Sequence, residues 1–335
     1  MSSPAVSVVM PFYNSGQYTI DAVASILDQS FADLEVICVN DGSSDETPEL
    51  LDWFATQDSR VRVHHQSNAG IVAALNVACK SARAPLLVRM DSDDCALPNR
   101  IATQVQWMND HPQCVVCGTG ILEIDSDGDP LCLSRLPQEH AQIVDSLLHR
   151  RTGHFHPSTM IRTDSFRQVG GYRQEYQWVE DHDLWLRLSE VGELCNLPEI
   201  LLCYRQHAQS VCWRRSDKQR TLMNDLLTAH YQARDIPVPE GVVADATQKR
   251  SPAGAGKWAR AAAKGGFVAS TKKQLAALNS SSAKLSYKLR MNAEVLFRLA
   301  HSKVLVPSRS NEAVSPPTFH KWHHAWKSDP HRTAA

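Results

Sequence analysis

Nowhere in the 335 residues does an apolar run approach about 18 residues, so the sequence offers no helix able to span a bilayer. The first residues lack a basic region followed by a hydrophobic core, which gives no reason to expect secretion and makes a cytoplasmic protein the expectation. Nine cysteines are scattered along the chain, and only Cys114 and Cys117 form a Cys-x-x-Cys. No second pair at metal-ligand spacing follows, and the two valines between these thiols suit a strand, which argues against a zinc site and for reduced thiols. The loop after the first strand candidate, Pro11-Phe-Tyr-Asn-Ser-Gly16, holds no Lys or Arg. It is therefore not the glycine-rich basic phosphate loop that a nucleotidyltransferase would show.

The net charge of −1 hides a division. Residues 249–335 hold 16 Lys+Arg against Glu294, Glu312 and Asp329, a net of +13, so residues 1–248 carry −14. An acidic body with a basic tail suggests two parts with different jobs. A leucine series at helical spacing (Leu275, Leu278, Leu285, Leu289, Leu296, Leu299) runs through the tail among Lys272, Lys273, Lys284, Lys288, Arg290, Arg298 and Lys303. Either this helix packs on the body with a solvated basic face, or it lies on an anionic membrane. The expected division is a catalytic domain over 1–240 with halves at 1–112 and 113–240, a linker at 241–256, a basic helical extension at 257–306 and a disordered end at 307–335.

Within the body, Val6–Phe12, Leu34–Val39, Val61–His65 and Leu86–Met90 read as strands. Each is followed by a helical pattern, through Ile20–Leu27, Leu50–Phe54, Ile71–Ala82 and Leu97–Asn109. Four strand–helix alternations predict an α/β fold with a doubly wound, mostly parallel sheet flanked by helices. Beyond Cys114 the pattern changes to a hairpin, Val115–Ile124 and Leu131–Ser134 around an Asp-Ser-Asp-Gly-Asp turn. Helices at Gln138–His149, Glu180–Glu190 and Asp217–Arg234 and an extended run at Ile200–His207 complete it.

The stretch Leu86–Asp94 organises the rest. Leu-Leu-Val-Arg-Met rises as a buried strand and stops in Asp91, Asp93 and Asp94. Ligands of open α/β sheets collect at the carboxyl ends of strands. On an extended segment Asp91 and Asp93 would share one face, and two hard oxygen donors there suit Mg²⁺ or Mn²⁺ carrying a phosphorylated substrate. A solvated acidic turn leading into a helix is the alternative.

The series Pro11-Phe-Tyr-Asn14, Asn40-Asp-Gly-Ser43, Asn68-Ala-Gly70 with Ala74-Leu-Asn76, Asp91-Ser-Asp-Asp94, Gly170-Gly-Tyr172, Glu180-Asp-His-Asp-Leu184 and Tyr204-Arg-Gln-His207 resembles the family 2 inverting glycosyltransferases, in the same order. The resemblance covers about residues 5–210. It implies the A-type glycosyltransferase fold and a reaction that moves a sugar from a UDP- or GDP-sugar to a hydroxyl acceptor, in cell-surface or exported glycan synthesis. It also implies Mn²⁺ or Mg²⁺ as cofactor, a glycan or lipid-linked glycan as acceptor, and no nucleic acid partner.

Carried over by position, Pro11, Tyr13, Asn14, Asp41, Gly42, Ser43, Asn68 and Asp91 would surround the nucleotide, with Pro11 and Tyr13 against the base, Asp41 on its polar edge and Asp91 near the ribose. Asp93 and His207 would hold the metal. Asp181 matches the acid of the Glu-Asp motif and would be the base for inversion, with Glu180 orienting the site or meeting acceptor and Asp183 the next alternative. As first-turn helix acids these residues also suit the helix dipole. Two other classes compete with this reading. One is the nucleotidyltransferase, and the other a catalytically inactive nucleotide-sugar-binding module.

Overall fold

A computed structural model describes residues 3–207, 216–243, 255–264, 267–281, 283, 285–305 and 316–329. The four expected strand–helix units form β1 (Val6–Phe12), α1 (Tyr18–Leu27), β2 (Leu34–Asp41), α2 (Thr47–Gln57), β3 (Val61–Gln66), α3 (Ile71–Ser81), β4 (Leu86–Arg89) and, after the short β5 (Cys95–Ala96), α4 (Arg100–Asp110). β1, β2 and β4 are buried at every position, as expected of central strands covered on both faces. The fourth helix starts three residues later than its apolar pattern suggests. Cys95 and Ala96 are drawn into pairing with Cys203 and Leu202, and the Leu97 N–H donates to the Leu201 carbonyl at 2.9 Å.

The second half supplies the hairpin β6 (Cys114–Ile124) and β7 (Pro130–Ser134), α5 (His140–Leu148), β8 (Met160–Arg162), α6 (Thr163–Gln168), α7 (Glu180–Leu188) and β9 (Glu193–Arg205). Among the described residues one sheet runs in the order β3-β2-β1-β4-β8-β6-β9-β5, with β7 on β6. β3, β2, β1 and β4 are parallel, whereas β8 is antiparallel to both β4 and β6. Strand order reverses between β1 and β4, so their carboxyl ends open a crevice where the loops diverge to opposite sides. α1 and α2 pack their apolar stripes (Ile20, Val23, Ile26, Leu50, Phe54) on one face, while α3 and α7 cover the other with Val72, Leu75, Leu184 and Trp185.

The tail is docked where it is described. Helices at Ala255–Lys264, Val268–Ser280 and Leu285–Leu305 share a small core of Ala259, Ala263, Leu278, Met291 and Val295. A further helix, His320–Lys327, lays Trp322 and Trp326 against Trp53, with ring centroids 6.2 and 5.5 Å apart. The expected disordered end over 307–335 is thus corrected for 316–329, where two tryptophans supply the apolar area that the abundance of Pro and His concealed. The rest of that stretch and most of the expected linker, 244–254, lie outside the described residues.

Candidate functional site

The Leu-Leu-Val run ends at Arg89, and the chain then turns at Ser92–Asp93 instead of staying extended. The turn replaces the expected alternation of faces and gathers all three acids: one carboxylate oxygen each from Asp91, Asp93 and Asp94 lies within 4.8 Å of the others. Asp94, which the sequence reading left without a role, is the most enclosed at 1 % exposure. Its Oδ1 accepts the Arg205 backbone N–H at 2.8 Å, and its Oδ2 is buried without a hydrogen-bond partner. Burial and the neighbouring charges of Asp93 and Asp91 push its pKa well up, and burial chiefly does the same to Asp91. Oxygen donors crowded together with one left orphaned are what a bound cation would relieve.

Cations of the protein surround this cluster. Arg89 is 4 % exposed, and its Nη1 lies 2.5 Å from Asp91 Oδ2. Arg100, fully buried, donates from Nη2 to the Arg89 carbonyl at 2.9 Å; burial lowers its pKa to about 9. His207 Nε2 sits 2.7 Å from Asp93 Oδ2, so the last motif does meet the fourth strand, 114 residues away in sequence. Sequence reasoning missed Arg89, Arg100 and Arg205 as functional supports. The available signal was a lone Arg inside an otherwise apolar strand, a position seldom filled without a partner.

The loop after β2 is organised by its own side chains. Asn40 Oδ1 accepts the Ser43 N–H at 3.1 Å, Asn14 Oδ1 accepts the Ser44 N–H at 2.8 Å, and the Asn14 N–H donates to Ser43 Oγ at 3.0 Å. Asn14 and Ser43 therefore brace the first two loops together. Gly42 has φ +72°, and a Cβ there would stand 2.7 Å from the Asn68 nitrogen, so only glycine lets the two loops touch. Asp41 accepts from Gln66 Nε2 (2.7 Å) and the Ala69 N–H (2.8 Å) on Oδ1, and from the Gly70 N–H (2.8 Å) on Oδ2. Asn68 is exposed beside it. Pro11 is buried opposite Val39 in the sheet, whereas Tyr13 is 57 % exposed and free to offer a ring face.

The second half places its acids differently. α7 opens with Glu180, Asp181 and Asp183. Glu180 is 7 % exposed, its Oε2 accepts the Trp178 N–H at 2.7 Å, and burial, then the Asp181 charge, raises its pKa to about 7. Asp183 is 2 % exposed and paired with Arg187 at 2.5 Å, which removes it as the next alternative for a base. Asp181 is half-buried; its Oδ1 accepts the His182 N–H at 2.8 Å. It lines a cavity of about 250 Å³ with Arg150, His154, Trp178 and Trp185. Its charge adds a little to the raised pKa of Asp91, after burial and the nearer charges.

The histidines of the His154-Phe-His156 stretch stay neutral. Burial lowers His154 to about 4 and His156 well below its usual value, and their partners are Asn196 Oδ1 and the Tyr172 hydroxyl, each at 2.7 Å. The Gly170-Gly171-Tyr172 turn serves the scaffold: both glycines have positive φ, and Asn76 bonds the Tyr172 N–H (3.1 Å) and carbonyl (2.9 Å).

The structure is thus a mixed α/β sheet with loops gathered at a topological switch point, a carboxylate cluster at the end of β4 and a cavity lined by Asp181 at the start of α7. The family described as Glycosyl transferase family 2 matches residues 7–170. The O-antigen biosynthesis glycosyltransferase WbnJ of Escherichia coli is 32% identical over 209 residues, 61% of this chain and 81% of its own. The chain belongs to the family 2 glycosyltransferases. Among solved structures, S. aureus TarS 1–349 in complex with UDP-GlcNAc has a TM-score of 0.55 at 16% identity, covering 89% of this chain and 87% of that one. The mannosyltransferase PcManGT from Pyrobaculum calidifontis, in complex with GDP-Man and Mn2+, has a TM-score of 0.50 at 16% identity, covering 91% and 87%. Both likenesses bear out the A-type fold, and family membership sets aside the nucleotidyltransferase reading.

Proposed function

We propose that this glycosyltransferase moves a sugar, with inversion, from a nucleoside diphosphate sugar to a glycan or lipid-linked glycan hydroxyl, using Mn²⁺ or Mg²⁺. One observation carries the reading: three carboxylates converge within 4.8 Å at the carboxyl end of β4, with Asp94 Oδ2 buried and unpartnered. Asp93, Asp94 and His207 would hold the ion and Asp91 would approach the ribose. Such an ion supplies charge neutralisation to a departing diphosphate. Asp181 takes the proton of the acceptor hydroxyl. Glu180, buried and with its pKa raised to about 7, carries only part of its negative charge near neutral pH, which lessens repulsion of the incoming nucleophile. The WbnJ name supports an acceptor in surface-polysaccharide synthesis.

Asp41 narrows the base. An ionised carboxylate offers about four acceptor positions, and three are filled by Gln66, Ala69 and Gly70. One position suits the single imide N–H of uracil better than the paired donors of guanine. Titration calorimetry with UDP and GDP, each with Mn²⁺ and with EDTA, tests both points. UDP should bind more tightly than GDP, and both should weaken under EDTA. Binding indifferent to Mn²⁺, together with no hydrolysis of any UDP- or GDP-sugar, would remove the metal-dependent reading and favour an inactive module.

A specific feature of the tail supports contact with an anionic membrane. Among the described residues no helix is long and apolar enough to cross a membrane. The Leu285–Leu305 helix, however, leaves Leu285, Leu289 and Leu296 exposed at 70%, 61% and 62%. They lie on one face at helical spacing, with Lys288 near by. Flotation with anionic liposomes at low salt should carry the full chain, and raised ionic strength should release it. Leu289→Asp with Leu296→Asp should abolish flotation; a variant that still floats would refute this docking face.

A further inference from the structure

Arg205 ends β9 at 5 % exposure, and its hydrogen-bonding groups are spent on holding loops. Its backbone N–H donates to Asp94 Oδ1 at 2.8 Å and its Nε to the Asp93 carbonyl at 2.7 Å. Its Nη1 donates to the Ser126 carbonyl at 3.1 Å and reaches the Asp125 carbonyl at 3.4 Å, and its Nη2 lies 3.4 Å from Asp21 Oδ2. The guanidinium also stands 4.7 Å above the Tyr18 ring.

Two of the acidic residues that Arg205 reaches, Asp125 and Asp21, are also held by the tail. Lys273 Nζ, on the Val268–Ser280 helix, lies 2.8 Å from Asp125 Oδ2, 2.9 Å from Asp127 Oδ2 and 2.5 Å from Asp129 Oδ2. Its neighbour Gln274 donates to Asp125 Oδ2 at 2.8 Å. From the His320–Lys327 helix, His323 Nε2 lies 2.7 Å from Asp21 Oδ1. Surface ion pairs alone contribute little. Asp125 is only 2 % exposed, however, and removing its cation would leave an enclosed carboxylate without its counter-charge. The hairpin would shift to rehydrate it.

We propose that the C-terminal extension positions the donor site: Lys273 and Gln274 fix Asp125, His323 fixes Asp21, these two fix Arg205, and Arg205 sets Asp93 and Asp94. The inference rests on the reading of Asp93 and Asp94 as a cation and nucleotide site. Lys273 and His323 touch neither substrate nor metal; they are positioning residues acting through one arginine. The +13 of the tail against the −14 of the body then has an internal use, with the acidic turn of the β6–β7 hairpin as its main docking point.

The test uses the full chain with Lys273→Ala, Lys273→Arg and His323→Ala. Mn²⁺-supported UDP binding is read by calorimetry, the half-saturating Mn²⁺ by donor hydrolysis, and the thermal midpoint alongside. Removing groups that support a metal ligand costs about 10–100-fold in metal affinity. Lys273→Ala should therefore raise the half-saturating Mn²⁺ about tenfold and weaken Mn²⁺-supported UDP binding, while UDP binding in EDTA stays at the wild-type level. His323→Ala should shift both in the same direction, and Lys273→Arg should restore most of the loss. A lowered thermal midpoint with unchanged Mn²⁺ dependence in both alanine variants would reduce the extension to plain packing and overturn the proposal. A wild-type chain whose UDP binding ignores Mn²⁺ would also overturn it, by removing the site it is said to position, and that result is told apart by the wild-type titration alone.

Discussion

Asp181→Asn should bind the donor nucleotide as tightly as the unaltered chain yet transfer sugar at least ~10²-fold more slowly, the low end for loss of a general base. The carboxylate lines the cavity at the start of α7. Inversion requires a base on the side of the sugar away from the leaving diphosphate, and that is the role proposed for Asp181. Asparagine keeps the shape and can still accept the His182 N–H, so the fold at the start of α7 is preserved. The measurement is transfer rate beside calorimetric nucleotide affinity. Near-normal transfer would pass the role to Glu180 alone, because Asp183 is committed to Arg187.

Asp93→Ala should abolish the gain in nucleotide affinity that Mn²⁺ confers, and Asp91→Ala should weaken nucleotide binding with Mn²⁺ present. Groups that merely support a metal ligand typically cost about 10–100-fold when removed, so a ligand itself should cost at least that much. The alanine at 93 also releases His207, whose Nε2 now sits 2.7 Å from the carboxylate. Calorimetry with UDP and Mn²⁺ decides the matter. If both variants bound like the unaltered chain, the cluster would be a structural acidic turn.

The parallel half was legible because its strands are β-branched runs with a helix after each, a local pattern repeated four times. The hairpin at 114–134 was legible for the same reason, a turn signal between apolar runs. What the sequence concealed depends on contacts between distant segments. Nothing near Asp94 says that the Arg205 amide, 111 residues on, will claim one of its oxygens and leave the other buried alone. Alternation along a strand suggested that Asp91 and Asp93 would act as a pair, whereas a turn at 92–93 brings in the third acid. Asp183 and Asp181 look equivalent in a first-turn acidic triplet, and only the salt bridge to Arg187 separates them. The tail misled through composition: Pro and His at its end suggested a loose segment, while two tryptophans found an aromatic partner on α2.

The three arginines around the β4 terminus have a bearing on what can bind there. Arg89, buried and 2.5 Å from Asp91, already offsets part of the charge that the three acids bring together. A divalent ion bound there would bring about two positive charges, matching the charge that a sugar diphosphate carries. Ion and nucleotide would then favour each other's arrival, and the free ion alone should bind weakly. By linkage, the nucleotide must raise affinity for the ion by the same factor as the ion raises affinity for the nucleotide.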